Sequence, residues 1–192
     1  TEVTGKSSAM IKAFPEKEIS PIQSEAIDKI LTRLKTGEPV QYILGHTEFY
    51  GLPFKVNPSV LIPRPETEEL VDWVVGEWRA AVGDWKKPYS ILDIGTGSGC
   101  IAISLKKNLI DAQVSAIDLS PEALKTAKEN AELNKVDINL IQADILNLKF
   151  EIEHPTRRRP LEHHWKQTIS EKFETIVSNP PYVTLHDKNQ MH

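Results

Sequence analysis

Residues 89–99 have the sequence Tyr-Ser-Ile-Leu-Asp-Ile-Gly-Thr-Gly-Ser-Gly, a short apolar run that passes directly into a glycine-rich turn. A helical pattern resumes at residues 100–105. Strand, glycine loop and helix in this order form the first unit of a Rossmann-like sheet. The glycines let the backbone turn sharply against a ligand, and the N–H groups that open the helix face that ligand. The sequence therefore predicts an α/β fold with a binding site at this loop.

Two further strands are predicted downstream, and each ends at an acidic residue. Residues 114–118 end at Asp118, which lies 19 positions after Gly99, where a carboxylate can accept both hydroxyls of a ribose. Ser120 and Pro121 then cap and start a helix that runs to about residue 134. Residues 138–144 form the third predicted strand, whose Asp144 and Ile145 are placed to meet an adenine edge and face.

A fourth predicted strand, residues 173–177, ends in the sequence Ser-Asn-Pro-Pro-Tyr at residues 178–182. The two prolines stop the strand pairing, because neither has a backbone N–H to donate. The turn then offers acceptors, the side-chain oxygen of Asn179 and the carbonyls of Asn179 and Pro180, with Tyr182 as an aromatic wall. Such a turn suits a planar NH2 group. The alternative is an ordinary strand-ending turn, because Asn-Pro is a common turn pair.

The first third of the chain predicts a helix, a hairpin and a stiff connection. Ser20 as N-cap and Pro21 at the first position start an amphipathic helix that ends near residue 36. Residues 38–56 contain short β-prone runs punctuated by glycine and proline, which predict a hairpin or a pair of short strands. Arg64 stands between two prolines on an extended backbone, which favours a positioned role over a surface ion pair. Another helix begins at Pro65 or Thr67.

Composition limits the possible partners of the chain. The 192 residues have a net charge of −4 and 40% apolar residues, so one domain with a real core is expected and no global basic field points to nucleic acid. The single Cys100 excludes an internal disulfide and fits a reducing, cytoplasmic location. Its thiol is expected to be a small buried apolar group. No apolar run approaches the ~18 residues of a membrane helix, so no membrane partner is expected.

Residues 150–171 interrupt the alternation of strands and helices with a polar, proline-containing segment. It contains the arginines of residues 157–159 and three of the histidines, and we interpret it as a solvated insertion loop. The spacing of these histidines matches no common metal-binding pattern and no cysteine joins them. No metal is therefore predicted.

Several separate segments carry a resemblance to known proteins. The loop from Asp93 to Gly99 resembles motif I of the class I S-adenosylmethionine-dependent methyltransferases. Asn-Pro-Pro-Tyr at residues 179–182 is similar to the motif that amino-methyltransferases use for planar nitrogens, including adenine N6 and glutamine side-chain amides. Gln-Tyr-Ile-Leu-Gly at residues 41–45 and Leu-Ile-Pro-Arg-Pro-Glu-Thr-Glu at residues 61–68 resemble the signature of the HemK/PrmC family, the peptide chain release factor glutamine N5-methyltransferases. The resemblance covers most of residues 20–149 and 173–184.

The resemblance implies an α/β, Rossmann-like class I methyltransferase sheet, preceded by a helix and a β-hairpin linker. Residues 1–37 would be the remnant of an N-terminal substrate-recognition domain, residues 38–65 the hairpin linker, and residues 66–192 a partial catalytic domain. The family has more N-terminal helices and more sheet strands than the pattern predicts here. We therefore expect a chain that is truncated at both ends.

The resemblance also implies a reaction and its site. The reaction is transfer of a methyl group from S-adenosylmethionine to the amide nitrogen of the glutamine in the Gly-Gly-Gln motif of class I release factors, with no metal, nucleic acid or membrane involved. The residues implied for the donor are Asp93, Gly95, Thr96, Gly97, Ser98, Gly99, Asp118, Asp144, Ile145 and Asn179. Those implied for the glutamine are Asn179, Pro180, Pro181 and Tyr182, with Arg64 as a further substrate contact. Asn179 and Pro180 would be catalytic.

Two other functions remain open at this point. A nucleic-acid adenine-N6 methyltransferase would use the same turn, and the arginines of residues 157–159 would then contact phosphate. The acidic composition and the Pro-Arg-Pro-Glu-Thr-Glu block of residues 63–68 argue against it. A catalytically silent, donor-binding fragment is the other alternative, because the predicted sheet is incomplete.

Overall fold

The computed structural model describes residues 2–80, 89–150, 167–169 and 173–180, with the backbone alone at residues 148–150 and 167–169. Its helices are α1 (Ser8–Ala13), α2 (Pro21–Lys35), α3 (Val40–Leu44), α4 (Glu68–Ala80), α5 (Cys100–Asn108) and α6 (Pro121–Asn134). Its strands are β1 (His46–Phe49), β2 (Leu52–Lys55), β3 (Ser90–Ile94), β4 (Gln113–Asp118), β5 (Asn139–Gln142), β6 (Leu148–Phe150), β7 (Gln167–Ile169) and β8 (Thr175–Ser178). Single 3-10 turns occupy Pro65–Thr67 and Ile145–Asn147.

The central element is a four-stranded sheet in the order β5-β4-β3-β8, in which every pair is parallel. A parallel sheet needs both faces covered, and the strands accordingly carry continuous apolar runs. Ile91 and Leu92 of β3 are fully buried on opposite faces. Helix α5, which follows β3, buries nearly all of its apolar side chains. This arrangement confirms the predicted Rossmann-like α/β fold, and it brings the carboxyl ends of all four strands to one edge.

The two predicted serine–proline helix starts are confirmed. Ser20 Oγ accepts a hydrogen bond from the backbone N–H of Gln23 at 3.3 Å, and Gln23 Oε1 accepts from the Ser20 N–H at 3.0 Å. This is a reciprocal capping box, which satisfies two backbone donors at the start of α2. Ser120 Oγ likewise accepts from the Ala123 N–H at 3.1 Å at the start of α6. Local side-chain chemistry thus fixes both helix starts.

The prediction of β-structure throughout residues 38–56 is wrong in its first half. Residues 40–44 form the short helix α3, because Pro39 supplies a preset φ of −57° just before the helix and Gly45 ends it at a φ of +79°. The predicted hairpin is confirmed in its second half, where β1 and β2 pair antiparallel across the turn at Tyr50 and Gly51. Both turn residues have positive φ, as tight hairpin turns require.

The hairpin packs on α6 through polar side chains spaced four residues apart. Asn130 is fully buried, and its Oδ1 accepts from the Lys55 N–H at 2.7 Å. Its Nδ2 donates both to the Lys55 carbonyl at 3.0 Å and to the Ser98 carbonyl at 2.9 Å. Asn134 Nδ2 donates to the Pro53 carbonyl at 2.9 Å. The Asn130 carboxamide therefore pairs with β2 as a neighbouring strand would, and also holds the glycine loop.

The predicted insertion loop is wrong at its ends. Strands β6 and β7 pair parallel with each other and form a separate two-stranded sheet, so residues 150 and 167–169 are strand rather than loop. The β-branched residues of β7 explain this preference. Residues 151–166, including the arginines of residues 157–159, lie outside the described residues, as do Pro181 and Tyr182.

Asn130→Asp should destabilise the fold, because a carboxylate would replace the amide donor that faces two buried carbonyls. We expect the free energy of unfolding to fall by about 3 kcal/mol in denaturant titrations at neutral pH. The matched control is Asn139→Asp, where the amide is exposed and its bond to Ser115 Oγ is long, at 3.3 Å. That change should cost less than about 0.5 kcal/mol. Equal losses in the two variants would contradict the bridging role of Asn130.

Candidate functional site

The glycine loop between β3 and α5 is folded back over the end of β4. The backbone N–H groups of Gly95 and Thr96 both donate to the Ile117 carbonyl, at 2.8 and 3.0 Å. At Gly99 the φ is +80°, and an added Cβ would lie 2.9 Å from Ile103 Cδ1 and 3.1 Å from Ala127 Cβ. Only glycine therefore allows α5 and α6 to pack this closely.

Gly97, at the tip of the loop, is different. Its φ is +56°, and an added Cβ would meet no described atom within 4 Å. The space directly above the loop is therefore open on the side where a Cβ would project. A ligand can approach the backbone there without displacing any described group, as nucleotide-type loops require.

Asp118 lies beside this loop, where the sequence placed it. Its Oδ2 accepts from the Gly97 N–H at 2.8 Å, and its Oδ1 accepts from the Ser120 N–H at 3.0 Å. The residue is half-buried, so the carboxylate keeps contact with solvent. Each oxygen retains capacity for a further hydrogen bond, because a carboxylate offers about four lone-pair sites. Exposed Leu119, which sequence reasoning missed, adds an apolar group next to this acid.

Asp144 and Ile145 follow β5 and lie next to the end of β4. The Ala143 N–H donates to the Asp118 carbonyl at 3.1 Å, which holds the two strand ends together. Asp144 Oδ1 accepts from the Leu146 N–H at 3.0 Å, and its Oδ2 accepts from the Asn147 side chain. The Ile145 side chain packs against the apolar cluster that includes Ile117. The structure thus brings the glycine loop, Asp118 and Asp144 along one edge of the sheet.

Asp93, the acid before the loop, has a different environment. Only 1% of its surface is exposed, and the Thr96 hydroxyl donates to its Oδ2 at 2.7 Å. Its Oδ1 makes no hydrogen bond of normal geometry within the part of the chain that the structure describes. Burial raises the pKa of Asp93 to about 6, although its hydrogen bonds favour the charged form. Burial likewise raises the pKa of the Cys100 thiol to about 12, so that thiol stays neutral.

Asn179 leaves the sheet beside the glycine loop. Ile94 and Ser178 are partners in the β3–β8 register, and Ser178 Oγ donates to the Ile94 carbonyl at 2.9 Å. The next residue on each strand is therefore Gly95 on one side and Asn179 on the other. The half-buried Asn179 side chain donates from Nδ2 to Thr67 Oγ1 at 3.1 Å. The turn and the loop consequently open on the same edge of the sheet.

A cleft of about 740 Å³ lies at this turn, within the range of about 300–1,000 Å³ that is usual for small-molecule pockets. One wall comes from the end of β8 and the other from the segment that begins α4. The lining residues are Leu61, Arg64, Glu66, Thr67, Leu70, Ser178, Asn179 and Pro180. Arg64 is exposed there and forms no ion pair with any described residue, so the alternative of a surface ion pair finds no partner in these ranges.

Sequence reasoning missed Thr67 as a contact of Asn179. The residue stands in the block of residues 61–68 that carried the family resemblance, but the pattern indicated only a helix start there. Within residues 2–80, 89–150, 167–169 and 173–180, no group of three or more histidine, cysteine or acidic residues is arranged to hold a metal ion. The same ranges contain no helix that is long and apolar enough to span a membrane.

Asp93→Asn should change how stability depends on pH. The pKa of Asp93 rises from 3.8 in the unfolded chain to about 6 in the fold, so the folded state binds this proton more tightly. The contribution of Asp93 therefore favours folding at pH values below 3.8, and it is lost as the pH rises through 6. We expect the stability of the wild type, relative to Asp93→Asn, to fall by about 2 kcal/mol between pH 4 and pH 7. Denaturant titrations across this range measure it, and a difference that is independent of pH would contradict the burial argument.

Comparisons with known proteins agree with this arrangement. The PrmC N-terminal domain family matches residues 1–45, and a methyltransferase domain family matches residues 91–179. The chain is 47% identical to a release factor glutamine methyltransferase of Flavobacterium psychrophilum, over 93% of this chain and 55% of that protein. It is 42% identical to the protein of that name from Bacteroides thetaiotaomicron, over 90% of this chain and 54% of that protein.

A more distant relative, the release factor glutamine methyltransferase of Escherichia coli, is 34% identical over 96% of this chain and 58% of that protein. The chain thus spans a little more than half the length of the curated relatives that it matches. A match to the PrmC N-terminal domain is followed along this chain by a match to a methyltransferase domain. The chain is therefore similar, over at least 90% of its length, to release factor glutamine methyltransferases, and its first 45 residues match the PrmC N-terminal domain.

Proposed function

We propose that the protein transfers a methyl group from S-adenosylmethionine to the side-chain amide nitrogen of the glutamine in the Gly-Gly-Gln motif of class I release factors. The observation that carries the proposal is the position of Asn179, one residue beyond a strand pair that ends at the glycine loop. A turn that offers hydrogen-bond acceptors, next to the glycine loop that would hold the methyl donor, suits methylation of a planar NH2 group. The names of the relatives, release factor glutamine methyltransferase, support the same substrate.

We further propose the division of the chain that the sequence suggested. Residues 1–37 would belong to a substrate-recognition domain, residues 38–65 to a linker, and residues 66–192 to the catalytic domain. The match of residues 1–45 to the PrmC N-terminal domain supports a separate function for the first part. A protein that modifies release factors works where translation occurs, so a cytoplasmic location follows from the proposed substrate.

The residues at the loop fit the proposed donor. The open space above Gly97 and the spare lone pairs of Asp118 are unfilled binding capacity at one edge of the sheet. We assign the loop of residues 95–99 and Asp93 to the methionine side, Asp118 to the ribose, and Asp144 with Ile145 to the adenine. When bound, S-adenosylmethionine supplies an electrophilic methyl group on its sulfonium sulfur.

The proposed chemistry depends on placement rather than on a base. The lone pair of an amide nitrogen is delocalised into its carbonyl, and no side chain at neutral pH removes its proton at low cost. Asn179 Oδ1 and the Pro180 carbonyl would accept the two amide hydrogens, favour positive charge on nitrogen and direct its lone pair at the methyl group. The nitrogen would gain the methyl group as the methyl–sulfur bond breaks to leave a neutral thioether, and it would release one proton to water. Positioning of this kind is worth about 7–11 kcal/mol.

Three further residues complete the proposed substrate site. Arg64 lines the same cleft as Asn179, and its guanidinium, which forms no ion pair within the described residues, suits the backbone carbonyls of the peptide that carries the glutamine. Pro181 and Tyr182 lie outside the described residues, and their roles as walls of the glutamine pocket stay predictions. Asn179 also borders the donor loop, so we propose that it contacts both molecules.

Incubation with S-adenosylmethionine and a purified class I release factor tests the proposal. Peptide mass spectrometry should find one added CH2 group on the glutamine of Gly-Gly-Gln. Asn179→Ala should abolish this transfer while donor affinity stays within a few-fold, because Asn179 acts mainly on the amide. Label on DNA adenine instead would favour the nucleic-acid alternative. Donor binding without transfer to either substrate would favour the silent donor-binding fragment.

Gly97→Ala should weaken donor binding more than it weakens the fold. At a φ of +56° the new residue costs about 1–2 kcal/mol of stability, and its methyl group enters the open space above the loop. We expect the Kd for S-adenosylmethionine to rise by at least ~10-fold in calorimetric titrations, about 1.4 kcal/mol. The matched control is Gly51→Ala in the hairpin turn, which has a φ of +69° and equally open surroundings. Equal donor affinity in the two variants would contradict the placement of the donor.

A further inference from the structure

Asn179 is held by a residue from a different part of the chain. Its Nδ2 donates to Thr67 Oγ1 at 3.1 Å, although the two residues lie 112 positions apart. Both side chains are half-buried and line the same cleft. We infer that Thr67 is a positioning residue, which fixes the Asn179 carboxamide in the orientation that methyl transfer needs. This inference rests on the proposed function and names a residue beyond its predicted site.

The two ends of the Asn179 carboxamide differ in their hydrogen bonding. One end is an NH2 donor and the other is an oxygen acceptor. A substrate amide nitrogen brings only hydrogens to this point, so the oxygen of Asn179 must face it. With Nδ2 bound to Thr67, Oδ1 is the end left for the substrate. If the carboxamide were rotated, the Asn179 NH2 group would face the substrate NH2 group. Both groups are donors, so no hydrogen bond could form between them.

The anchor itself is rigid. Thr67 ends the 3-10 turn Pro65–Thr67, and its N–H donates to the Arg64 carbonyl at 3.0 Å. The next residue, Glu68, accepts from the Tyr50 N–H at 2.9 Å in the hairpin turn. The Thr67 side chain therefore bonds Asn179, and the adjacent Glu68 side chain bonds the hairpin turn. A hydroxyl on a backbone held in this way can restrict the plane of the amide it binds.

Thr67→Val is the central test, because valine has nearly the same shape and lacks the hydroxyl. In the release factor assay we expect kcat to fall by about 10- to 100-fold, the scale of loss from misplacing a catalytic group. Donor Kd should stay within a few-fold, because the hydrogen bonds of Thr67 within the described residues go to Asn179 and Arg64 and not to the glycine loop. Thr67→Ser restores the acceptor and should keep kcat within about threefold of the wild type. Valine and serine variants of equal activity would overturn the inference.

Thr126→Val is the matched structural control. Thr126 Oγ1 accepts from Asn57 Nδ2 at 2.9 Å, so the same pair of groups is broken at a buried position outside the cleft. This variant should lose stability but transfer methyl groups at the wild-type kcat once folded. Equal loss of kcat in Thr126→Val and Thr67→Val would mean that general destabilisation is responsible, and the inference would fail.

Nuclear magnetic resonance gives a readout that does not depend on activity. The side-chain amide signal of Asn179 can be assigned by comparison with Asn179→Ala. In the wild type its Nδ2 protons should exchange slowly with water, and Thr67→Val should shift the signal and speed the exchange. An unchanged signal would overturn the inference even if the release factor is methylated. A wild type that methylates nothing would instead contradict the proposed function, while this signal still tests the anchor.

Discussion

The parallel register of β3 and β8 is the constraint on which the site depends. Because Ile94 and Ser178 are paired, both strands leave the sheet at the same level. Strand β3 continues into the glycine loop, and strand β8 continues into Asn179 and Pro180. Pro180 has no N–H with which to extend the strand pairing. The loop turns away towards β4, since Gly95 and Thr96 donate to the Ile117 carbonyl. The two exits therefore lie at the same edge of the sheet, and groups bound at each would be neighbours.

Both exits are fixed by residues from outside the sheet. Asn130 of α6 bonds the Ser98 carbonyl in the glycine loop and the backbone of β2 in the hairpin. Thr67 holds the Asn179 side chain, and Glu68 beside it holds the turn of the same hairpin. The hairpin consequently contacts the supports of both halves of the site. The sequence indicated this hairpin as part of a linker. In the structure it packs against the residues that hold the glycine loop and the Asn179 turn.

Prediction from sequence succeeded where the deciding signal is local. The serine–proline starts of α2 and α6, and the strands that end at Ile94 and Asp118, depend on neighbours within a few residues. Helix α3 was missed because five residues between Pro39 and Gly45 carry too little periodicity to separate a helix from a strand.

The long-range supports of the site were not predictable in this way. Asn130 has the pattern of an ordinary helix residue, and its partner Lys55 lies 75 positions away. The same holds for Thr67 and Asn179. The parallel arrangement of the predicted strands indicates which strand ends share an edge of the sheet. The side chains that hold that edge in place depend on packing between distant segments. The placement of Asp118 and Asn179 was therefore foreseen, whereas their supports were not.

The charge at the loop also bears on the kind of ligand it takes. Glycine loops of this shape commonly receive a pyrophosphate, which carries negative charge. Here Asp118 Oδ2 already accepts from the Gly97 N–H that would face such a group. A carboxylate at this position repels a phosphate and favours a ligand with cationic groups and hydroxyls, which are the groups that S-adenosylmethionine presents.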